Sequence, residues 1–209
     1  MDLPEGMAIS VSVVNNTAIN AFATLGGNVV FFTGLLNIIP NENTLAMVMA
    51  HEIAHIKLRH PLRALGRGVV VGIAIAIATV TGIAGNDIVA KLAGDTNLLT
   101  ALNFSRDQES AADTLAIAAM VKRYGHANGA TQLFDVLNQQ QGGGGEKLPE
   151  FLTTHPLNKN RTAALIALTQ QNQWRITGNT REIPGAVNNE IKQLMTKLKN
   201  NADTKKPIK

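Results

Sequence analysis

Polar and apolar residues alternate along MAISVSVVN, residues 7–15, the two-residue period of a half-buried strand. AINAFATL, residues 18–25, offers it a hairpin partner. After Gly26 and Gly27 the run NVVFFT, residues 28–33, reads as a third strand rich in β-branched and aromatic residues. GLLNIIPNEN leads out of that strand, with Asn41 or Asn43 placed to cap the next element. From Thr44 the period lengthens to that of a helix: Leu45, Val48, Met49 and Ile53 fall on or near one stripe, and Pro61 marks its end or a kink. A second helix is bounded at both ends, by the capping box of Ser105 with Gln108 and by Gly125. Another runs through GATQLFDVLNQQQ, residues 129–141, and stops in four glycines, residues 142–145, a mobile linker. LPEFLTTHPLNKN then enters a helix near Asn158, and a last amphipathic helix covers Val187 to Leu198. No internal repeat is present. The pattern predicts an α+β chain, mainly helical, with a small N-terminal sheet.

Composition narrows the chemistry. A length of 209 residues suits one domain, or one domain with appendages. The core must be built from Ala, Leu, Ile and Val, because aromatics make up only 4% of the chain, and such a core suits close-packed helices. Without cysteine there is no disulfide framework, thiolate metal site or thiol nucleophile, so any metal falls to His, Asp or Glu.

The net charge of +4 suggests a nucleic-acid partner until the charges are located. Residues 191–209 hold six Lys and one Asp, a local +5, which leaves −1 for residues 1–190. The basic end reads as a solvated, disordered tail able to touch an acidic surface such as a membrane; nucleic-acid binding is not supported. MDLPEGMAIS has neither the basic leader nor the apolar run of a signal peptide. The uncharged run from Val69 to Ala84 is sixteen residues, short of the roughly 20 that a spanning helix needs. Its glycines and alanines suit a buried or partner-packed helix, including one paired with a second copy in a homo-oligomer; a membrane-dipping hairpin is the alternative.

Three of the five histidines fall in HEIAHIKLRH, residues 51–60. On a helix His51 and His55 project from one face, one turn apart, which is the geometry two imidazoles need to grip one zinc ion. Glu52 lies about 100° round, flanking the ion as a base for its water. The plain reading is two histidines on an amphipathic helix, but the apolar residues on both sides argue burial, and buried histidines need partners. His60 is about 140° from His55 on a continuing helix and faces elsewhere, which makes it a structural hydrogen-bonding residue. The better third ligand is Glu109. It is paired one turn on with Asp113, which is placed to hold an imidazole N–H, and both sit among Ser110, Ala111, Ala112 and Ala116, small enough for another helix to approach.

NAFATLGGNVVFFTGLL, HEIAHIKLRH, SRDQESAAD and THPLNKNR stand in an order that resembles the HtpX-like and CAAX-prenyl-protease-like zinc metalloendopeptidases. These are gluzincins, and the chain is most like their bacterial BepA-like and LoiP-like branch. The likeness spans residues 20–161. It implies a zincin-like fold, with the sheet packed on the active-site helix, and one Zn2+ per chain held by His51, His55 and Glu109. It also implies Glu52 as catalytic base, a supporting Asp113, and His155 and Arg161 near the active site. The chain departs from the membrane-spanning members in having only one long apolar run, too short for their architecture.

Residues 1–185 would then be the catalytic domain, and residues 186–209 a C-terminal helix and basic tail. The substrates implied are unfolded or misassembled proteins of a bacterial cell envelope, probed from the periplasm. His155 has two roles open to it, donor to the oxyanion, with Arg161 holding the loop or helping the anion, or reversible fourth zinc ligand; a plain loop histidine is the third reading. Substrate would add as a strand along an exposed edge, for which NVVFFT is the choice, a buried core strand being its other reading. Two other classes stay open: a self-inhibited, zinc-bound chaperone or binding module, and a helical adaptor whose metal residues are incidental.

Overall fold

The computed structural model describes residues 1, 3–65, 104–141, 150–155 and 160–203. Val69–Ala84, the glycine run at residues 142–145, Asn158 and the last six residues of the tail lie outside them. Three strands come first, β1 (Ser10–Val14), β2 (Ala21–Ala23) and β3 (Asn28–Phe32). A single turn, α1 (Thr33–Leu36), leads to α2 (Glu42–Lys57) and the short α3 (His60–Leu65). The remaining helices are α4 (Arg106–Tyr124), α5 (Gln132–Gln141), α6 (Glu150–Thr154), α7 (Arg161–Gln171) and α8 (Gly185–Asp203). The fold is α+β and mainly helical, as the pattern predicts, with the sheet against α2.

The sheet order is β1-β3-β2, which corrects two expectations. β2 pairs antiparallel with β3 and not with β1, while β1 runs parallel to β3. The cause is the two connections. Gly26 and Gly27 have φ of 78° and 83°, the left-handed values glycine adopts without strain, so β2 turns directly into β3. The link from β1 to β2 instead crosses the end of β3. There the Asn16 N–H donates to Thr33 Oγ1 at 3.0 Å, and the Asn16 carbonyl accepts from the Gly34 N–H at 2.8 Å. NVVFFT is therefore the central strand, not an edge, and Val29, Val30, Phe31 and Phe32 are all buried. The edges are β1, exposed from Ser10 to Val13, and β2, which lies against α2.

Asn41, not Asn43, caps α2, accepting from the Thr44 N–H at 2.9 Å; such a cap contributes about 1 kcal/mol. α2 is covered on both sides. One core cluster joins Val48 and Ile56 to the sheet residues Ala21, Val29 and Phe31. Another joins Met47 to Ala116, Ile117 and Met120 of α4. Ala112 and Ala116 are fully buried, and these small side chains let α4 pack along α2. α4 has its full capping box, with Gln108 N–H to Ser105 Oγ at 3.3 Å and Ser105 N–H to Gln108 Oε1 at 2.9 Å. α8 runs longer than the 187–198 read from the sequence; it docks Ile191 and packs against α1. Among the described residues no helix is long and apolar enough to cross a membrane.

Candidate metal centre

α2 and α4 run side by side, so the turn bearing His51 and His55 faces the turn bearing Glu109 and Asp113. His51 Nε2 and His55 Nε2 are 2.9 Å apart. Glu109 closes on both, Oε2 at 3.4 Å from His51 Nε2 and Oε1 at 3.4 Å from His55 Nε2. Asp113 takes the far side of the first ring, Oδ1 at 2.9 Å from His51 Nδ1. His155, just beyond α6, points Nδ1 into the same space, 3.3 Å from His51 Nε2 and 3.1 Å from Glu109 Oε1. Its other nitrogen lies 3.3 Å from Glu52 Oε1. His51, His55, Glu109 and His155 are all buried, and each offers one donor atom within 4.8 Å of the others.

These residues fit a divalent metal on two counts. Zinc holds nitrogen and carboxylate donors at about 2.0–2.2 Å in a tetrahedron, whose donors then stand roughly 3.3–3.5 Å apart. The donor separations above, 2.9 to 3.4 Å, approach that figure. Charge gives the second count. With neutral imidazoles, the buried Glu52, Glu109 and Asp113 carboxylates and the Arg161 guanidinium leave −2, which a divalent cation cancels. An apolar surround tolerates such a cluster only if it is neutralised.

The field of the site favours positive charge at that point. Burial works to lower the pKa of His51, yet its hydrogen bonds with Asp113 and Glu109 outweigh that and raise it to about 10. Burial pushes Glu109 up, but His155, His51 and His55 together pull it well below the usual carboxylate range. Asp113 is likewise lowered, its burial overcome by His51 and Arg161. His55 goes the other way, held neutral by burial. Burial also raises Glu52, which is fully enclosed and makes no well-directed hydrogen bond, although the backbone of Ala23 in β2 stands beside it. A carboxyl so placed takes up a proton readily, as a general base must.

Arg161, at the start of α7, grips Asp113 with two bonds of 2.8 and 2.7 Å and reaches Glu109 Oε2 at 2.8 Å, its guanidinium over the Phe134 ring. It thus touches both buried carboxylates of α4. The sequence pattern has His60 facing away on a continuing helix. Instead α2 ends at Lys57, Arg59 takes φ 55°, and His60 Nδ1 comes back to 2.9 Å from His55 Nδ1. Burial and nearby Arg63 lower His60 to about 4. Phe104 gives no sign of itself in the sequence pattern: it stacks on His55 with centroids 4.0 Å apart, and its one signal is its place just before the capping box. Tyr124 lies at the far end of α4, donating to Glu42 Oε1 at 2.8 Å.

A profile of Peptidase family M48 matches residues 2–169. The beta-barrel assembly-enhancing protease of Escherichia coli K12 is 34% identical over 174 residues, which cover 78% of this chain and 34% of that protein. The protein of the same name from Yersinia pestis is 36% identical over 160 residues, 71% of this chain and 32% of that one. The mitochondrial metalloendopeptidase OMA1 of Arabidopsis thaliana is 30% identical over 161 residues, 77% and 32%. The chain thus spans about a third of the length of these relatives. With the histidine pair on α2, the acidic pair on α4 and a profile match over most of its length, the chain belongs to peptidase family M48.

Proposed function

We propose that the protein is a zinc-dependent metalloendopeptidase acting on unfolded or misassembled proteins of a bacterial cell envelope. One observation carries the activity: donors from three separate stretches of chain meet at one buried point, with Glu52 beside it. His51, His55 and Glu109 would hold one zinc ion. Bound there, it would polarise a peptide carbonyl and lower the pKa of water towards about 7. Glu52 takes the proton of the attacking water and passes it to the leaving nitrogen. Asp113 accepts the Nδ1–H of His51, which leaves the Nε2 lone pair facing the ion. Arg161 keeps Asp113 and Glu109 ionised and in place. The envelope, and the periplasm within it, rest on the bacterial relatives named for β-barrel assembly, since such barrels belong to outer membranes.

His155 supports a second reading, in which this arrangement is the shut form. A catalytic zinc keeps an open position, yet His155 Nδ1 stands where a fourth donor would close it. The edge strand beside Glu52, β2, is the place for substrate to add as a strand. α6 stands next to that edge, with the Phe151 N–H donating to the Ile19 carbonyl at 2.9 Å.

Casein cleavage and zinc content, measured together, test both readings. Glu52→Gln should lose cleavage by about 10²–10⁴-fold while retaining one zinc per chain; retained cleavage would refute the assignment of the base. His155→Ala should cleave faster than the parent. If His155→Ala is slower, His155 serves catalysis as an oxyanion donor and is not a plug.

A further inference from the structure

The geometry points to His60 as a positioning residue that sets the proton of His55 on Nδ1 and so turns the Nε2 lone pair to the metal. The inference rests on reading His51, His55 and Glu109 as ligands. It starts from the break after α2. On a continuous helix His60 would lie about 140° from His55. Arg59, with φ 55°, occupies the left-handed region that non-glycine residues seldom enter, and the chain folds back there into α3. That fold brings the two Nδ1 atoms to 2.9 Å, with both rings buried.

Two ring nitrogens at that distance share one proton, one donating and the other accepting. His55 Nε2 is already committed to the cluster, 2.9 Å from His51 Nε2 and 3.4 Å from Glu109 Oε1. A neutral imidazole that offers a lone pair at Nε2 carries its proton at Nδ1. His55 therefore donates, His60 Nδ1 accepts, and the proton of His60 sits on Nε2. Phe104, stacked on His55 at 4.0 Å with planes 23° apart, keeps the ring from turning out of this alignment. The partner of His51 is a carboxylate, Asp113. A second carboxylate behind His55 would add charge to a cluster that already stands at −2 with its imidazoles neutral. A neutral histidine supplies the acceptor without that cost.

Zinc affinity of the purified chain, read by competition with a chromophoric chelator, tests this. His60→Leu should bind zinc about 10–100-fold more weakly. His60→Asn, whose Oδ1 falls where Nδ1 was, should recover most of that loss, whereas His60→Gln places its acceptor one bond further out and should not. Thermal midpoints in excess chelator report any packing defect separately. Equal affinity in wild type and His60→Leu would overturn the inference, and so would equal weakening of the Asn and Gln variants, a comparison that also decides the matter if His60→Leu fails to fold. If wild type binds no zinc, the ligand reading itself fails and takes this inference with it, a different pattern from a loss confined to the His60 variants.

Discussion

Arg161→Met deletes the one permanent cation of the centre while keeping an apolar stem against Phe134. In the parent, Asp113 and Glu109 both lean on that guanidinium, through contacts of 2.7 to 2.8 Å at sites only 7% exposed or less. Removing one member of a buried ion network costs about 3–5 kcal/mol, since the charges left behind stay desolvated and unpaired. For a chain of this size each kcal/mol moves the thermal midpoint by about 2–4 °C. The metal-free variant should therefore melt about 6–20 °C below the parent. Zinc supplies the missing positive charge from the other side of Glu109. At a hundred times its Kd zinc adds about 2.7 kcal/mol to whichever protein it binds, so the gap narrows in zinc only if the variant, short of one positive charge, binds it more tightly than the parent. Urea melts in chelator and in excess zinc measure both quantities. Adding Asp113→Asn should cost less than the sum of the two single losses, because the carboxylate left stranded by the first change is then neutral. A loss under about 1 kcal/mol in chelator, or strict additivity, would refute the view that Arg161 holds the acidic pair.

The same charges set two pH dependences. His51 is raised to about 10 without metal and must be neutral to coordinate, so apparent zinc affinity should climb about tenfold per pH unit from 7 towards 10. Chelator competition across that range measures the slope, and a flat profile would mean that the imidazole is already neutral. In the metal-free protein the depressed pKa values of Asp113 and Glu109 contribute stability that is fully present above about pH 4 and lost as pH falls through their lower folded values. The raised pKa of His51 contributes stability that is full below about pH 6.5 and lost as pH rises through about 10. The lowered pKa values of His55 and His60 contribute stability that is full above about pH 6.5 and lost as pH falls. Urea melts in chelator should therefore show greatest stability near about pH 6.5, and a maximum above pH 8 would contradict the assignment.

The centre is legible in the sequence where its geometry is local. The spacing of His51 and His55, and that of Glu109 and Asp113, each fix a helix face within one turn, and the Ser105–Gln108 capping box fixes where the second helix begins. The features that escape depend on long-range pairing or on one unusual dihedral. Whether β1 or β3 receives β2 is decided by Asn16 meeting Thr33, seventeen residues apart, which no local periodicity encodes. NVVFFT does carry a usable signal. Its apolar run is continuous and not alternating, as suits a strand covered on both faces and not an edge. The return of His60 hangs on the left-handed Arg59, a conformation that residue type alone gives no reason to expect.

In the described arrangement four protein donors lie within 4.8 Å of one another, and Glu52 has no exposed surface. On the reading in which His155 is a plug, hydrolysis needs a second arrangement, and the contacts of His155 name the element that would give way. Its ring stacks on Phe151, centroids 4.7 Å apart, and Phe151 is tied through its N–H to the Ile19 carbonyl just before β2. Displacing α6 would thus withdraw the fourth donor, uncover Glu52 and free the chain beside the β2 edge in one movement. His51, His55 and Glu109 sit on α2 and α4, which pack directly on each other, while Phe151 and Leu152 of α6 share the sheet-side core with Val48 and Ile56 of α2. Those three residues lie on two long helices, and His155 just beyond a five-residue one. On the plug reading, a partner or substrate that binds the opened form better than the shut one must offset the burial of Phe151 and Leu152 to select it.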